Sequence, residues 1–559
     1  MEKSYTIVYQ GDIGQGLREK NINNYMVLND KLVVVYTNED FDPTILDDIE
    51  QVSIWKKASP MSSLIKIGDG VVNGETVTNA SGTSYIENNP YIAVDGRGTL
   101  IAIIDSGIDY LHPDFINEDG TSKIVSIWDQ EGTTNPPPKG AIFGSEFTRE
   151  DINRAIAEDN GNLTKDNIGT GTIAAGIAAG RGELNPLYKG VAPKSELVVV
   201  KLKQYEGTYM QGRINYLNTD FLAAIKYVCD VSQNLNVLTI INLTIGERSR
   251  SVILTNFLET FDYLQSSGVV IVSGAGNEGD TNIHYEGNAM LVTSPYADVI
   301  LEVGEQKNLL ITICGNGPGR GDVSVISPSG ELSYNVQYAP DEEAFSGNFN
   351  LENSKYTIQI FYPWLFSGNE EVEILIEDIK PGIWTLRLYL EFETSGEFDM
   401  YLPNGNLIPN NTRFLDPNSF ATITLYASTE NVITVGAFND KTDSMWIGSS
   451  KGSVRTKISL KPDIVAPGVD IISTYNNGSY IKSTGTGVSS SLTAGILALI
   501  LEYIGQQEVY QRKLLFTNVL KTYLMLGATK NSIYTFPNDS QGFGVLNLKD
   551  TINAIANKI

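Results

Sequence analysis

Residues 484–494 read Thr-Gly-Thr-Gly-Val-Ser-Ser-Ser-Leu-Thr-Ala and lead into Ile496, Leu497, Leu499 and Ile500. Two glycines in a polar turn before an apolar run predict a tight turn feeding a buried helix. A nucleophile on such a turn stands beside backbone donors at a positive helix end, where developing oxyanion charge is stabilised. At residue 487, where that nucleophile would stand, there is a glycine. Histidine, the ordinary proton acceptor near neutral pH, occurs only as His112 and His284. Hydroxyl-plus-imidazole catalysis is therefore short of both parts.

The elements that would position such chemistry follow an α/β pattern from Gly96 onward. Residues 99–104 (Thr-Leu-Ile-Ala-Ile-Ile) are a continuous apolar run ending on Asp105, which predicts a central parallel strand covered on both faces. Asp105 then sits at the strand's carboxyl end, where open α/β sheets place their sites. Strands are expected at 195–202, 237–243 and 269–273, and helices at 219–234 and 251–267. The turn Gly274-Ala275-Gly276-Asn277-Glu278-Gly279 follows. By its place in this turn, Asn277 reads as a brace for its own loop.

Outside this pattern the chain changes character twice. Residues 1–60 alternate strand and helix signals, predicting a small α+β domain, and residues 61–95 have the Ser, Gly, Asn and Thr composition of a linker. Residues 286–420 carry many short alternating strands between Gly, Pro, Asn and Ser turns, the pattern of an inserted antiparallel β-sandwich. Arg320-Gly321-Asp322 lies there, in a turn composition. A formal net charge of −26 argues against nucleic acid as a partner. No signal-peptide pattern and no apolar segment approaching ~18 residues is evident, so no membrane span is expected. Cys229 and Cys314 are the only cysteines and read as buried free thiols of a reducing compartment.

Several of these stretches together resemble the subtilisin-like serine proteases, the subtilases. Residues 104–109 (Ile-Asp-Ser-Gly-Ile-Asp) with Leu111-His112-Pro113-Asp114-Phe115 are similar to the family's aspartate motif, and Asp105 matches the catalytic acid. Asn167-Ile168-Gly169-Thr170-Gly171-Thr172 resembles its histidine motif with Thr170 in the histidine position, and a threonine hydroxyl cannot serve as base near neutral pH. Gly485-Thr486-Gly487 resembles the serine motif with Gly487 in place of the nucleophile. Asn277 matches the oxyanion asparagine, Asn242-Leu243-Thr244-Ile245-Gly246 the substrate-lining segment, and Lys461-Pro462-Asp463 and Gly542-Phe543-Gly544 later family motifs. His112 falls in the turn after the aspartate, where its expected role is to bond a loop. In subtilisin, loss of triad members lowers turnover by roughly 10⁴–10⁶.

The resemblance implies a subtilisin-like parallel sheet with helices on both faces. It gives a propeptide-like domain and linker at 1–95 that stay uncut, a core at 96–285 and 421–559, and a jelly-roll-like sandwich at 286–420. The combination is most similar to the Csp germination proteases of spore-forming bacteria, and Thr170 with Gly487 to a pseudoprotease within that group. What this implies is a non-enzymatic regulator in the bacterial spore. Its partners would be a sibling Csp protease or the precursor of a cortex hydrolase, and its input a bile-salt germinant. No cofactor is expected. Relatives often bind calcium, but no carboxylate cluster here names a ligand set. Two other readings remain: a serine endopeptidase using a displaced nucleophile among Ser489, Ser490 and Ser491, and a scaffold working through the sandwich alone.

Overall fold

The structure, a computed structural model, describes residues 3–249, 256–288, 296–334, 344–364, 368–392, 396–453, 455, 460–507 and 512–557. Thr99–Asp105 is a strand buried along its whole length. Consecutive apolar residues permit this, since both faces of the strand must be covered. Ile101 and Ile103 enter a core shared with helices Thr170–Ala179 and Thr486–Gly505. Leu100, Ala102 and Ile104 enter the core on the other face, with helix Asn218–Leu235. The strand pairs in parallel with Glu196–Lys201 and with Leu238–Leu243. Outward from these the sheet runs through Ile124–Asp129 to Ser145–Thr148 on one side, and through Val269–Gly274 to Ile433–Asn439 on the other. This is the doubly covered, mostly parallel α/β sheet anticipated from the sequence.

Three expectations need correction. The helix expected at 251–267 is a short helix, Asn256–Glu259, and a separate 3-10 turn, Asp262–Gln265, with 250–255 outside the described residues. The Thr260 hydroxyl donates to the Phe257 carbonyl, a local bond that competes with helix propagation. Phe257, Leu258, Phe261 and Leu264 are nevertheless buried, so their spacing reported burial rather than one continuous helix. Helix Thr486–Gly505 is long and apolar enough to cross a membrane by length and composition, contrary to the expectation that no segment approaches that length. It is instead packed within the core, in contact with five strands of the sheet and helix Thr170–Ala179.

The third correction concerns residues 61–95, which are folded onto the core. Pro60–Ser63 is a strand inserted between Ile214–Leu217 and Ile245–Glu247. Lys66–Ile67 adds to the hairpin of Ile471–Tyr475 and Ser479–Thr484. Helix Val77–Ser81 packs beyond it. The Glu502 carboxylate then accepts the backbone N–H groups of Asp95, Gly96 and Arg97. Loop-like composition concealed Met61, Leu64, Ile65, Val77 and Ile86, all buried.

Two further units flank the core. Residues 3–57 form a four-stranded sheet whose one face, with Ile7, Val33 and Val35, packs on its own helix Ile13–Glu19. The alternate residues Val8, Leu32, Val34 and Tyr36 join the core cluster beside helix Asn218–Leu235, as period-two side-chain direction requires. Tyr36 donates to Asp220 across this seam at 3.0 Å. The inserted unit is an antiparallel sandwich of a six-stranded and a four-stranded sheet over a common core that includes Ile311, Ile358, Ile374 and Leu386. Its first strand, His284–Asn288, pairs with Glu397–Tyr401, so the sandwich begins two residues before the expected 286.

Candidate functional site

Asp105 ends its strand at 0 % exposure. Its carboxylate accepts the Ser106 backbone N–H at 2.7 Å and the hydroxyls of Thr170 and Thr244. Burial pushes its pKa up to about 6, and these three donors offset only part of that cost. Thr170 is the first residue of helix Thr170–Ala179, after Gly169 in the left-handed region at φ 100°. Its hydroxyl also lies 2.9 Å from the Ser106 hydroxyl. A carboxylate held by two threonine hydroxyls and a backbone N–H keeps its geometry, and no imidazole bonds to it among the described residues. The sequence marks Thr244 only as part of a segment similar to the family's substrate-lining one. Its place at the carboxyl end of the adjacent strand, Leu238–Leu243, was the available signal.

Neither histidine approaches this carboxylate. The His112 ring accepts the Asp114 N–H at Nδ1, and its Nε2 lies 3.1 Å from the Ser479 carbonyl, so it braces a loop. His284 lies within the sandwich, stacked on Tyr401, with Nε2 2.9 Å from Asp399 and Nδ1 3.1 Å from the Asn418 carbonyl. The three serines after the turn also point elsewhere. Ser489 donates to the Ala466 carbonyl, Ser490 to Asn242 Oδ1, and Ser491 to the Gly487 carbonyl. All three are fully buried.

Gly487 lies at the start of helix Thr486–Gly505, and its N–H donates to the Leu64 carbonyl at 3.0 Å. The Leu64 N–H in turn donates to the Thr244 carbonyl at 2.8 Å. These bonds continue the pairing of Ser63 with Ile245 and of Met61 with Glu247. An extended segment held between two strands, with one carbonyl on a helix N-terminal N–H, lies as a peptide substrate would. The Leu64–Ile65 peptide crosses the mouth of the site. Gly246 leaves room for the Leu64 side chain, since a Cβ there would come 2.9 Å from Leu64 Cδ2. A Cβ at 487 would meet Ile65 Cγ1 at 2.8 Å and the Leu64 carbonyl carbon at 3.1 Å. Glycine thus accommodates the segment in its present position. Leu64 and Ile65 were absent from the sequence-derived site; two apolar residues within a polar stretch were their only mark.

Asn277 makes no hydrogen bond to that carbonyl, although its Nδ2 and the Leu64 carbonyl oxygen both face Gly485. Its Oδ1 accepts the N–H and the hydroxyl of Thr486, both at 3.0 Å. The residue is 6 % exposed, and its Nδ2 has no hydrogen-bond partner among the described residues. Of the two roles open from sequence, bracing is the one its bonds serve here. Among the described residues no cluster of three or more His, Cys, Asp or Glu could hold a metal ion.

Comparison with known proteins agrees with this geometry. The subtilase family profile (peptidase S8) matches residues 96–335 and 404–544. The Clostridium perfringens CspB protease structure is 27% identical and superposes with a TM-score of 0.75, covering 86% of this chain and 98% of that one. Fervidolysin from Fervidobacterium pennivorans, at 13% identity and a TM-score of 0.51, shares the fold. The C5a peptidase of Streptococcus pyogenes serotype M3 is 23% identical over 500 residues, which are 83% of this chain but 40% of that protein. The PI-type proteinase of Lactococcus lactis subsp. cremoris is 25% identical over 517 residues, 82% of this chain and 26% of that protein. The chain therefore spans less than half the length of these curated relatives. With the sheet, the aspartate, the turn-to-helix site and a family profile that matches most of the chain all in agreement, the chain belongs to the subtilase family.

Proposed function

We propose that this chain is a catalytically silent subtilase of the Csp group, similar to its pseudoprotease branch. It acts as a regulator or signal relay in spore germination rather than as a peptidase. Its partners are proteins of the spore, a sibling Csp protease or the precursor of a cortex hydrolase, and its input is a bile-salt germinant. The single observation that carries this reading is Thr170, rather than an imidazole, bonded to Asp105, with a glycine at 487 beneath the Leu64 carbonyl. A hydroxyl without a base leaves no route for proton removal from an attacking group. The similarity to the CspB protease supports the placement in the Csp group.

The purified protein is expected to run as one denatured species of 61.1 kDa and to remain unlabelled by a fluorophosphonate. A new amino terminus at Ile65 that disappears in an Asp105→Ala variant would overturn the proposal. So would a fluorophosphonate adduct on Ser489, Ser490 or Ser491, which would favour the displaced-nucleophile reading instead.

A further inference from the structure

The sandwich turns its six-stranded sheet toward the N-terminal unit and the core, through Glu371 and Glu373 of strand Glu370–Glu377. Its four-stranded sheet faces solvent. There Ala297–Val303 pairs with Gly382–Phe392 on one side and with Arg413–Phe414 on the other. Side chains alternate between the two faces of a strand, so Val299, Leu301, Leu386 and Leu388 fill the sandwich core and the residues between them form the outer face. Three large apolar residues stand on it, Ile300, Ile383 and Leu415, at 43 %, 49 % and 48 % exposure. Register gathers them into one cluster. Glu302 lies opposite Ile383, Ile300 lies opposite Thr385, and the Leu415 N–H donates to the Ile300 carbonyl. A contiguous exposed apolar cluster with a polar border marks a contact surface.

The border says what kind of partner fits. Its charged residues come as neutral pairs: Arg387 donates to both Asp298 oxygens at 2.7 Å, and Arg413 to Glu302 at 3.0 Å. On a chain of net charge −26, a face with equal numbers of each sign is one that a second acidic copy approaches without net repulsion. The pattern is also complementary to itself. Asp298 and Arg387 are direct cross-strand partners, and the Tyr296 and Tyr389 rings meet beside them with centroids 5.7 Å apart. A two-fold axis running along the strands, between these two, exchanges the members of each pair. It sets Arg387 of each copy over Asp298 of the other, and Tyr389 over Tyr296. The strands of the two faces then run aligned, as in common sheet-on-sheet packing at about 10 Å separation. A partner face of one sign would instead hold one member of every pair against a like charge.

We infer that this outer face docks on the same face of a second copy, forming an isologous two-fold dimer through the sandwich. Ile300, Ile383 and Leu415 supply its apolar centre, and Arg387 with Asp298 fixes its register. Aromatic and arginine side chains around an apolar centre are the composition of such interfaces. The inference draws on no residue of the cleft, so it stands or falls apart from the silent-protease reading.

The test is sedimentation velocity of the full-length chain over about 1–100 μM, a range that spans moderate dimer affinities. A reversible species of twice 61.1 kDa is expected. Ile300→Asp places an unpaired charge at the centre of the contact and should weaken association by about tenfold or more. Arg387→Asp and Asp298→Arg should each sediment as monomers, because like charges then face each other across the axis. An equal mixture of those two variants should dimerise again, whereas an ion pair acting only within one chain gives no rescue on mixing. Cooperative melting shows that each variant folds, and Ile300→Asp, at an exposed position, keeps the test decisive should a charge reversal disturb the sandwich. Wild-type protein that stays monomeric throughout, a dimer indifferent to Ile300→Asp, or a mixture no more associated than its two components would overturn the inference.

Discussion

A buried carboxylate held by two threonines and a backbone amide is an unusual way to keep an aspartate in a core. For Asp105 the folded-state pKa of about 6 lies above the ordinary 3.8. The folded chain therefore binds the proton more tightly than the unfolded one, and this residue's contribution to stability falls as pH rises from about 4 through 6. By pH 7 the cost is on the order of 2–3 kcal/mol, since each unit is worth about 1.4 kcal/mol. Asp105→Asn is expected to remove that slope: variant and wild type should converge near pH 4, with the variant ahead at pH 7. Chemical denaturation at both pH values measures this. A variant less stable at pH 7 than at pH 4, relative to wild type, would show that the carboxylate is needed in its charged form.

The segment 60–67 and the helix beginning at Thr486 depend on each other. Met61, Leu64 and Ile65 are buried, each worth about 1.5–3 kcal/mol when fully removed from water. The Gly487 N–H closes the contact on the Leu64 carbonyl. A β-branched residue at 487 would thrust its Cβ against Ile65 Cγ1 and the Leu64 carbonyl. Gly487→Val should therefore loosen residues 60–67, at an overpacking cost of about 1–3 kcal/mol. Hydrogen exchange at the Leu64 and Gly487 amides is expected to accelerate, while exchange in Thr99–Asp105 stays unchanged. Unaltered protection at both amides would refute the steric account.

Across the whole molecule, the three units meet at one buried charged junction. Lys56 of the N-terminal unit donates to Glu371 of the sandwich at 2.7 Å, with side chains 7 % and 0 % exposed, and its ammonium lies over the Phe361 ring. Arg248 of the core reaches Glu373 of the sandwich at 3.0 Å and donates to Ser59. Removing one member of a buried pair leaves the other charge uncompensated, typically a loss of about 3–5 kcal/mol. Lys56→Met is thus expected to lower stability by about 3 kcal/mol, and the double variant Lys56→Met/Glu371→Gln to recover much of that loss. A double-mutant cycle by denaturant unfolding checks the coupling. Additive effects of the two substitutions would mean that the ion pair does not tie the units together.

The sequence alone determined the sheet and the positions around its carboxyl edge. An unbroken apolar run such as 99–104 can be stable only under two covering layers, and the glycine turns before residues 170 and 486 announce their helices. It also determined that Thr170 and Gly487 stand where they do, because local motifs carry those identities. Only the tertiary structure decided what fills the groove. Residues 61–95 compose like a loop, and an extended segment paired on both sides takes its bonds from partners some 150 to 420 residues away in the chain. No local pattern reports that. The orientation of Asn277 and the charged junction at Lys56 were hidden for the same reason: each is assembled from residues that lie far apart in the chain and meet only in the folded molecule.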